Sequence, residues 1–303
     1  MNHDRKMDGN VPLGRSGLEV APLGWGMWRF AGADLATARR RIDAALEIGC
    51  TLFDTADIYG YDGTNGFGAA EALLGRVYAA DPALRRQMVL ATKAGIVPTL
   101  PYDSSARHLV AACEASLARL GTDCIDLWQI HRPDLLAHPA EVASAFETLK
   151  RAGKIRAAGV SNYSAQQTAA LLAYLPFPLA SIQPEFSALA IEPLSDGLLD
   201  LALAHGIAVL AWSPLAQGRL GGVPDEPRAA AVAAALAHIA ARAGVSGSAA
   251  ACAWIMQHPA RPVPLLGSQN PERLRELGRA RGLALTRAEW YRVLEAAHGR
   301  PMP

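Results

Sequence analysis

Four polar residues stand at or near the ends of short apolar runs in this 303-residue sequence, and their types suit one kind of chemistry. Asp54 ends the run TLFD, Lys93 ends MVLATK and His131 ends IDLWQIH. Tyr59 follows Asp54 by five residues, in DTADIYG. A carboxylate, an amine, an imidazole and a phenol that share an apolar-walled space can protonate a carbonyl oxygen while a hydride reaches the carbonyl carbon.

The four side chains can divide the work between them. A phenol is a poor acid near neutral pH, and we expect the ammonium of Lys93 to stabilise the phenolate and lower the pKa of Tyr59. Asp54 would hold Lys93 in place and keep it charged, and His131 would donate a hydrogen bond to a substrate oxygen. Each residue alone has a structural explanation, such as a helix cap or a loop anchor. Their shared position at successive strand ends favours the catalytic interpretation.

These residues meet only on a scaffold that gathers the carboxyl ends of its strands, and the rest of the sequence predicts one. Eight short apolar runs alternate with longer helical segments, which is typical of parallel βαβ units. The runs cover residues 20–26, 51–54, 88–93, 125–131, 155–161, 179–183, 207–213 and 262–268. The helical segments cover residues 35–48, 104–120, 140–152, 164–173, 194–205, 228–243 and 271–280.

The alternation indicates a closed barrel. No G-x-G-x-x-G follows the first run, although an open dinucleotide-binding sheet would carry one there. We therefore predict an α/β fold of the (β/α)8 TIM-barrel class, a single domain over residues 1–303 with residues 1–10 disordered. The segment VPLGRSGLEV predicts an N-terminal β-hairpin across the bottom of the barrel. RAEWYRVLEAAHG predicts an extra C-terminal helix.

Composition narrows the class of protein. The 29 Lys and Arg against 28 Asp and Glu give a net charge of +1, so no basic surplus indicates a nucleic acid partner. The four cysteines form no C-x-x-C pair, which favours free thiols in a reducing compartment. With no secretory signal and no apolar stretch of membrane-spanning length, we expect a cytoplasmic protein that has no membrane partner and is a monomer or weak homo-oligomer.

Six motifs, in this order, resemble those of the aldo-keto reductase family, over residues from about 11 to 298. They are DTADIYG, LATKAG, LWQIHRPD, GKIRAAGVSNYS, AWSPLAQGRL and PLLGSQNPERL. The resemblance implies that Tyr59 is the general acid, that Lys93 and Asp54 tune it and that His131 orients the carbonyl. It also implies NADPH as the cofactor, with NAD possible, and a small-molecule aldehyde or ketone as the substrate.

The resemblance assigns binding roles to further positions. The carboxamide of the nicotinamide would contact Ser161, Asn162 and Gln183, and its ring would stack on Trp212. Trp28 would line the substrate pocket with Tyr59 and His131, and the aromatic rings of Trp128 and Phe186 suggest that the pocket is apolar. The remaining cofactor-binding positions are Gly26, Met27, Asp54, Ser213, Pro214, Leu215, Gln217, Gly218, Arg219, Gly267, Ser268, Gln269 and Arg273.

The segment expected at the 2′-phosphate of NADPH departs from the family pattern. Many members carry a basic residue next to the serine that follows the last strand, but Gly267, Gln269 and Asn270 surround Ser268 here. Only Arg273, on the first turn of the next helix, supplies a positive charge. We still expect NADPH to be preferred to NADH, and we expect Arg273→Ala to raise the KM for NADPH more than that for NADH.

Three other functions remain open at this point. A lyase could use Lys93 to form a Schiff base, although the adjacent Asp54 favours a protonated amine. A regulatory protein could bind NADPH and turn over slowly. Zinc-dependent hydrolysis would need further histidines at strand ends beside His131, and the sequence places none there, so we expect no metal.

Overall fold

The computed structural model describes residues 9–224 and 226–303, so residues 1–8 of the segment 1–10 that we expected to be disordered lie outside the described residues. A hairpin of β1 (Val11–Pro12) and β2 (Glu19–Val20) precedes a barrel of eight strands. The barrel strands are β3 (Gly24–Gly26), β4 (Leu52–Asp54), β5 (Val89–Ala94), β6 (Ile125–Ile130), β7 (Ile155–Ser161), β8 (Ser181–Gln183), β9 (Ala208–Ala211) and β10 (Val263–Leu266).

The barrel is closed and all its strand pairs are parallel, as predicted for the (β/α)8 class. Neighbouring strands in the barrel follow chain order from β3 to β9. Strand β10 pairs with both β9 and β3, where Leu265 stands opposite Gly24. The helices are α1 (Leu35–Glu47), α2 (Ala69–Ala80), α3 (Ala106–Leu120), α4 (Pro139–Arg151), α5 (Ala165–Leu172), α6 (Leu198–His205), α7 (Pro227–Ala243), α8 (Gly247–Met256), α9 (Pro271–Gly278) and α10 (Arg287–His298).

The first apolar run, residues 20–26, is not one strand as we predicted. Val20 belongs to the hairpin, where it pairs with Val11, and the barrel strand begins only at Gly24. Between them the chain turns from the floor into the wall, and the backbone N–H of Ala21 donates to Thr51 Oγ1. The residues on both sides of this turn are buried and apolar. The sequence pattern therefore does not show that the hairpin strand ends and the barrel strand begins within this run.

Two helices, α2 and α8, are absent from the sequence prediction. In α8 eight of the ten residues are buried, so its sequence shows no amphipathic period. Helix α2 begins after Gly68, which has a left-handed backbone and no side-chain cap, and it contains Gly75. A Cβ at Gly75 would lie 2.2 Å from the carbonyl oxygen of Arg119, so this glycine lets α2 pack closely on α3.

The hairpin closes the bottom of the barrel, as we expected. Its apolar residues Leu13, Leu18 and Val20 pack against inward-facing side chains at the start of the barrel strands, among them Leu127 and Leu210. A Cβ at Gly14 would lie 2.4 Å from the Ala180 carbonyl oxygen, so only glycine fits this turn against the floor. The site must therefore open at the opposite end, where the strands finish.

The C-terminal helix α10 is present as predicted and lies against α7 and α8. A capping box at Thr286 and Glu289 starts it, and Arg242 of α7 pairs with Glu289. The rings of Trp254 and Trp290 stack with centroids 5.1 Å apart, which fixes α10 on α8. Among the described residues no single helix is long and apolar enough to cross a membrane; α7 and α8, bent by 97°, meet that length and composition only as a pair.

Candidate active site

The inward side chains of the barrel change from apolar to polar towards the mouth. Along β4 the inward positions are Leu52 and Asp54, and along β5 they are Ala91 and Lys93. The parallel register places Lys93 opposite Gln129 of β6. The polar layer therefore follows from period-two alternation in strands whose lower inward positions form the apolar floor.

Asp54 and Lys93 form a buried ion pair at the centre of this layer. Lys93 Nζ donates to Asp54 Oδ2 at 2.5 Å and to the Thr55 carbonyl oxygen at 3.0 Å. Gln129 Nε2 and Gln183 Nε2 each donate to Asp54 Oδ1 at 3.1 Å. Burial lowers the pKa of Lys93, but Asp54 and Tyr59 outweigh burial and raise it above its usual value. Because every oxygen of the carboxylate is bonded, the pair can persist away from water as ammonium and carboxylate.

Tyr59 lies over this pair, with Lys93 Nζ 5.0 Å from the centroid of its ring. The backbone N–H of Tyr59 donates to Ala56, and its carbonyl accepts from Ala70 at the start of α2, so the loop holds the ring at both sides. Lys93 lowers the pKa of Tyr59, as we expected, but the pKa still lies above its usual value. Burial raises the pKa of Tyr59, and the nearby cation of Lys93 offsets only part of that effect.

His131 completes the group just beyond the end of β6. Its backbone N–H donates to Ala94, and its ring lies 5.7 Å from the ring of Tyr59, centroid to centroid. Burial, with the charges of Lys93 and Arg132, holds the pKa of His131 well below its usual value. The imidazole is therefore neutral near pH 7 and keeps one N–H for donation. The structure thus brings all four sequence-predicted residues to one mouth.

The aromatic residues expected around the substrate divide into two groups. Trp28 packs edge-on against Tyr59 at 5.1 Å and is 61% exposed, so it lies at the rim of the mouth. Trp128 is fully buried against Phe146 of α4, and Phe186 is fully buried against Trp254 of α8. The expectation that Trp128 and Phe186 shape the pocket is wrong, because both rings fill the layer between barrel and helices.

Ser161, Asn162 and Trp212, three of the predicted cofactor residues, form a hydrogen-bonded strip beside His131. Ser161 Oγ donates to the Gln183 carbonyl oxygen at 2.9 Å, and Asn162 Nδ2 donates to the His131 carbonyl oxygen at 3.0 Å. Trp212 Nε1 donates to Asn162 Oδ1 at 3.0 Å. Asn162 takes a left-handed backbone (φ 61°), and its side-chain amide bridges His131 and Trp212.

The loop after β9 carries Ser213, Pro214, Leu215, Gln217, Gly218 and Arg219, and it continues from Trp212 along the mouth. Ser213 and Gln217 both have left-handed backbones, and so has Gly218. Gln217 donates to Glu185, and Arg219 pairs with Glu226 at 2.9 Å. The side chains of Gln217 and Arg219, two of the predicted cofactor-binding positions, are thus held by carboxylates.

Gly26 and Met27 connect the catalytic layer to the loop after β10. Gly26 stands opposite Asp54 in register, and the backbone N–H of Met27 donates to the Asp54 carbonyl oxygen. Gln269 Nε2 donates to the Gly26 carbonyl oxygen at 3.3 Å, while Oε1 of the same side chain is buried without a partner. Gly267, Ser268 and Gln269 form this loop, and Arg273 lies in the first turn of α9.

The cavity beside the loop after β10 carries more positive charge than the sequence suggested. Ser268, Gln269 and Arg273 line a cavity of about 480 Å³ that is also lined by Arg29, Arg40 and Arg41. The expectation that Arg273 alone supplies positive charge here is therefore wrong. The missing arginines belong to α1 and the segment before it, and no local pattern links them to α9 at the far end of the chain.

Sequence reasoning also missed buried polar side chains near the tetrad. Gln129, two residues before His131 on the same inward face, was detectable as a polar residue inside a buried strand. Glu71 is completely buried, and it accepts hydrogen bonds from Thr92 at 2.5 Å and from Arg119 at 2.7 Å. Because Glu71 belongs to α2, which the sequence did not predict, nothing marked it as facing inward.

The fold and this arrangement define an aldo/keto reductase. The model of the Aldo/keto reductase family matches residues 22–297, and the chain belongs to this family. It is therefore an oxidoreductase that acts on small-molecule carbonyl compounds with a nicotinamide cofactor.

Individual relatives are similar over almost their whole length. A 6-dehydroglucose reductase of Novosphingobium aromaticivorans is 52% identical over 293 residues, which are 96% of each chain. A 6-dehydroglucose reductase of Agrobacterium fabrum is 36% identical, over 93% of this chain and 96% of its own. The crystal structure of the thermostable aldo-keto reductase Tm1743 superimposes with a TM-score of 0.81 at 25% identity, covering 95% of this chain and 99% of that one.

Proposed function

We propose that this protein is an NADPH-dependent reductase that converts the aldehyde of 6-dehydroglucose, or of a closely similar sugar, to the primary alcohol, with Tyr59 as the general acid. The observation that carries the reaction is the buried cation of Lys93 beside Tyr59 and the neutral His131 at the barrel mouth. The two relatives named as 6-dehydroglucose reductases support the substrate.

The residues fit a nicotinamide dinucleotide by the chemistry of their donors and acceptors. Ser161, Asn162 and Gln183 present hydroxyl and amide groups that would hold a carboxamide, and the half-buried ring of Trp212 would stack on the nicotinamide. The left-handed loop after β9 would follow the pyrophosphate, and Gln269 Oε1 offers an unused acceptor near the adenosine end. The bound cofactor supplies the hydride.

Tyr59 is the residue that moves the proton. Its raised pKa keeps the phenol protonated at neutral pH, as a general acid must be before the reaction. When the carbonyl oxygen gains negative charge, Tyr59 donates its proton to that oxygen and becomes a phenolate. Lys93 then stabilises the phenolate, while Asp54 holds the ammonium beside the ring.

His131 positions the carbonyl oxygen. A neutral imidazole can donate an N–H to that oxygen without competing with Tyr59 as a proton source. Trp28 and Arg132 flank the same mouth, and Arg132 lies 5.9 Å from the ring of Trp212. An apolar indole face next to charged and amide donors suits a sugar, which presents both C–H faces and hydroxyl groups.

Purified protein should oxidise NADPH in the presence of 6-dehydroglucose. We expect Tyr59→Phe to lower kcat by about 10²- to 10⁴-fold, the usual contribution of a general acid. Tyr61→Phe is the matched control, because Tyr61 lies in the same loop and its hydroxyl bonds only to the Gly63 carbonyl oxygen, at 2.7 Å. Full activity in Tyr59→Phe would refute the mechanism.

Two further outcomes separate the remaining possibilities. Turnover of simple aldehydes but not of 6-dehydroglucose would remove the substrate assignment and leave the reaction class in place. A covalent Lys93 adduct, trapped by borohydride in the presence of substrate, would instead identify a Schiff-base lyase.

A further inference from the structure

A second group of buried polar side chains lies behind the tetrad, where β5 meets the helices α2 and α3. Thr92 precedes Lys93 in β5, so its side chain points to the outer face of the barrel while that of Lys93 points inward. On that outer face Thr92 Oγ1 donates to Glu71 Oε1 of α2 at 2.5 Å. Thr92 and Glu71 are both completely buried outside the barrel wall, so neither can contact a substrate.

Arg119 of α3 holds Glu71 from the other side. Its Nε donates to Glu71 Oε2 at 2.7 Å, and one of its terminal nitrogens donates to Ser116 Oγ at 3.1 Å. The side chain passes so close to Gly68 that a Cβ there would lie 2.4 Å from Arg119 Cδ. Gly68 immediately precedes α2, and Glu71 lies in the first turn of that helix. Arg119 therefore fixes the point at which the Tyr59 loop (residues 55–68) enters α2.

The Tyr59 loop is also fixed to β5 on the other side of Tyr59. The backbone N–H of Asp57 donates to the Lys93 carbonyl oxygen at 3.0 Å. The backbone N–H of Gly68 donates to the Asp57 carbonyl oxygen at 2.6 Å, so the two sides of the loop are joined to each other. The carbonyl oxygen of Tyr59 accepts from the backbone N–H of Ala70, at the start of α2, at 3.1 Å. The position of Tyr59 therefore depends on where α2 begins.

The Tyr59 loop and α2 are thus attached to consecutive residues of one strand. Asp57 bonds to Lys93, and Glu71 bonds to Thr92. Lys93 is also the residue whose ammonium lies 5.0 Å from the centroid of the Tyr59 ring. A shift of α2 relative to β5 would move the phenol relative to this ammonium, and the attraction between ammonium and phenolate depends on their distance.

We propose that Glu71 is a positioning residue, which keeps the hydroxyl of Tyr59 in place for proton transfer through its bond to Thr92. This inference rests on the proposed function, because it requires that Tyr59 gives the proton. Arg119 in turn holds the Glu71 carboxylate. Loss of the bond between Thr92 and Glu71 should slow proton transfer. It should leave cofactor binding almost unchanged, because the residues predicted to hold the cofactor belong to other strands and loops.

Thr92→Val tests this proposal with little change in packing, because valine has nearly the shape of threonine but no hydroxyl. The assay is the rate of NADPH oxidation in a single turnover with 6-dehydroglucose or a simple aldehyde, which reports the chemical step. We expect Thr92→Val to lower this rate by about tenfold or more, because a misplacement of about 1 Å can cost about 10²-fold. The Kd for NADPH, from fluorescence titration, should change less than about twofold, in line with an intact cofactor site. Thr92→Ser keeps the hydroxyl and should recover most of the rate.

A second measurement separates positioning of Tyr59 from a general effect on stability. Partial unfolding lowers the number of active sites, which titration with NADPH counts, and leaves the rate per site unchanged. A displaced phenol instead makes proton transfer slower relative to the other steps. The solvent deuterium isotope effect on the single-turnover rate should therefore rise in Thr92→Val and return towards the wild-type value in Thr92→Ser.

Thr168→Val is the matched control. Thr168 of α5 is also completely buried, and its Oγ1 donates to the Ser164 carbonyl oxygen at 2.8 Å. This variant loses one buried hydroxyl by the same substitution, in a helix that has no contact with the Tyr59 loop among the hydrogen bonds of the described residues. Its rate per site and its isotope effect should equal those of the wild type.

The possible results are distinct. A wild-type rate per site in Thr92→Val, or a slower rate with an unchanged isotope effect, would overturn the positioning role. Equal losses in Thr92→Val and Thr92→Ser would overturn it as well. If Tyr59→Phe is inactive in the same assay, the proposed function survives each of these results. A wild type that does not oxidise NADPH with any aldehyde would overturn both proposals.

Discussion

Replacing Lys93 separates its catalytic role from its structural one. In Lys93→Met, Asp54 keeps only the two glutamine donors and becomes a buried carboxylate without a cation. Breaking such a pair costs about 3–5 kcal/mol of the free energy of unfolding. In the double variant Asp54→Asn/Lys93→Met the uncompensated charge is gone, so most of that stability should return.

The catalytic loss should not return with the stability. At 5.0 Å from the Tyr59 ring, with an effective dielectric constant of about 20, one cation attracts a phenolate by about 3 kcal/mol. Losing this attraction in the transition state lowers kcat by about 10²-fold. Both variants should therefore show the loss in kcat, although their stabilities differ.

The assay combines urea unfolding with kcat at saturating NADPH and aldehyde. Single and double variants that share the loss in kcat but differ by several kcal/mol in unfolding free energy would agree with the proposal. A double variant whose kcat lies within about threefold of the wild type would refute it, because Lys93 would then serve only to neutralise Asp54.

Two further predictions concern pH and packing. Burial, Lys93 and Arg132 lower the pKa of His131 below 6.5, so the folded protein binds fewer protons than the unfolded chain below that pH. The contribution of His131 to the free energy of unfolding is therefore fully present above pH 6.5 and is lost as the pH falls below it. His131→Gln should therefore flatten the dependence of unfolding free energy on pH below 6.5, and an unchanged slope in urea titrations would contradict this. Gly159→Ala should cost about 1–3 kcal/mol by overpacking, because its Cβ would lie 2.1 Å from Ser181 Oγ; Gly247→Ala, with nothing within 4 Å, is the control, and equal urea midpoints would contradict the packing argument.

The tetrad could be predicted from sequence because its information is local. Asp54, Lys93 and His131 each follow an apolar run, and parallel strands in a barrel bring such positions together whatever the loops do. The same reasoning could have found Gln129, which shares the inward face of its strand with His131. The barrel class followed from the same alternation of runs and helices.

What the sequence could not supply depends on burial and on distant contacts. The pKa of Tyr59 is raised because the ring is enclosed, and no spacing of residues reports enclosure. Helix α8 is buried on every side, so the periodic signal of a surface helix is absent. Arg40 and Arg41 look like solvated surface charges until α1 is placed against the loop after β10.

Closure of the barrel has a consequence for how the chain folds. Trp25 Nε1 in β3 donates to the Ser268 carbonyl oxygen, 243 residues later, and β3 pairs with β10 at the same place. Until β10 has been synthesised, β3 has an unpaired edge. The hairpin also lacks some of the apolar side chains that it packs against, among them Val263 and Leu265. Contacts of such long range are slow to form. The part of the barrel where β10 meets β3, next to Asp54 of β4 and the arginine-lined cavity, is thus completed last. A chain that lacks β10 has neither a closed barrel nor a complete site at the carboxyl ends of the strands.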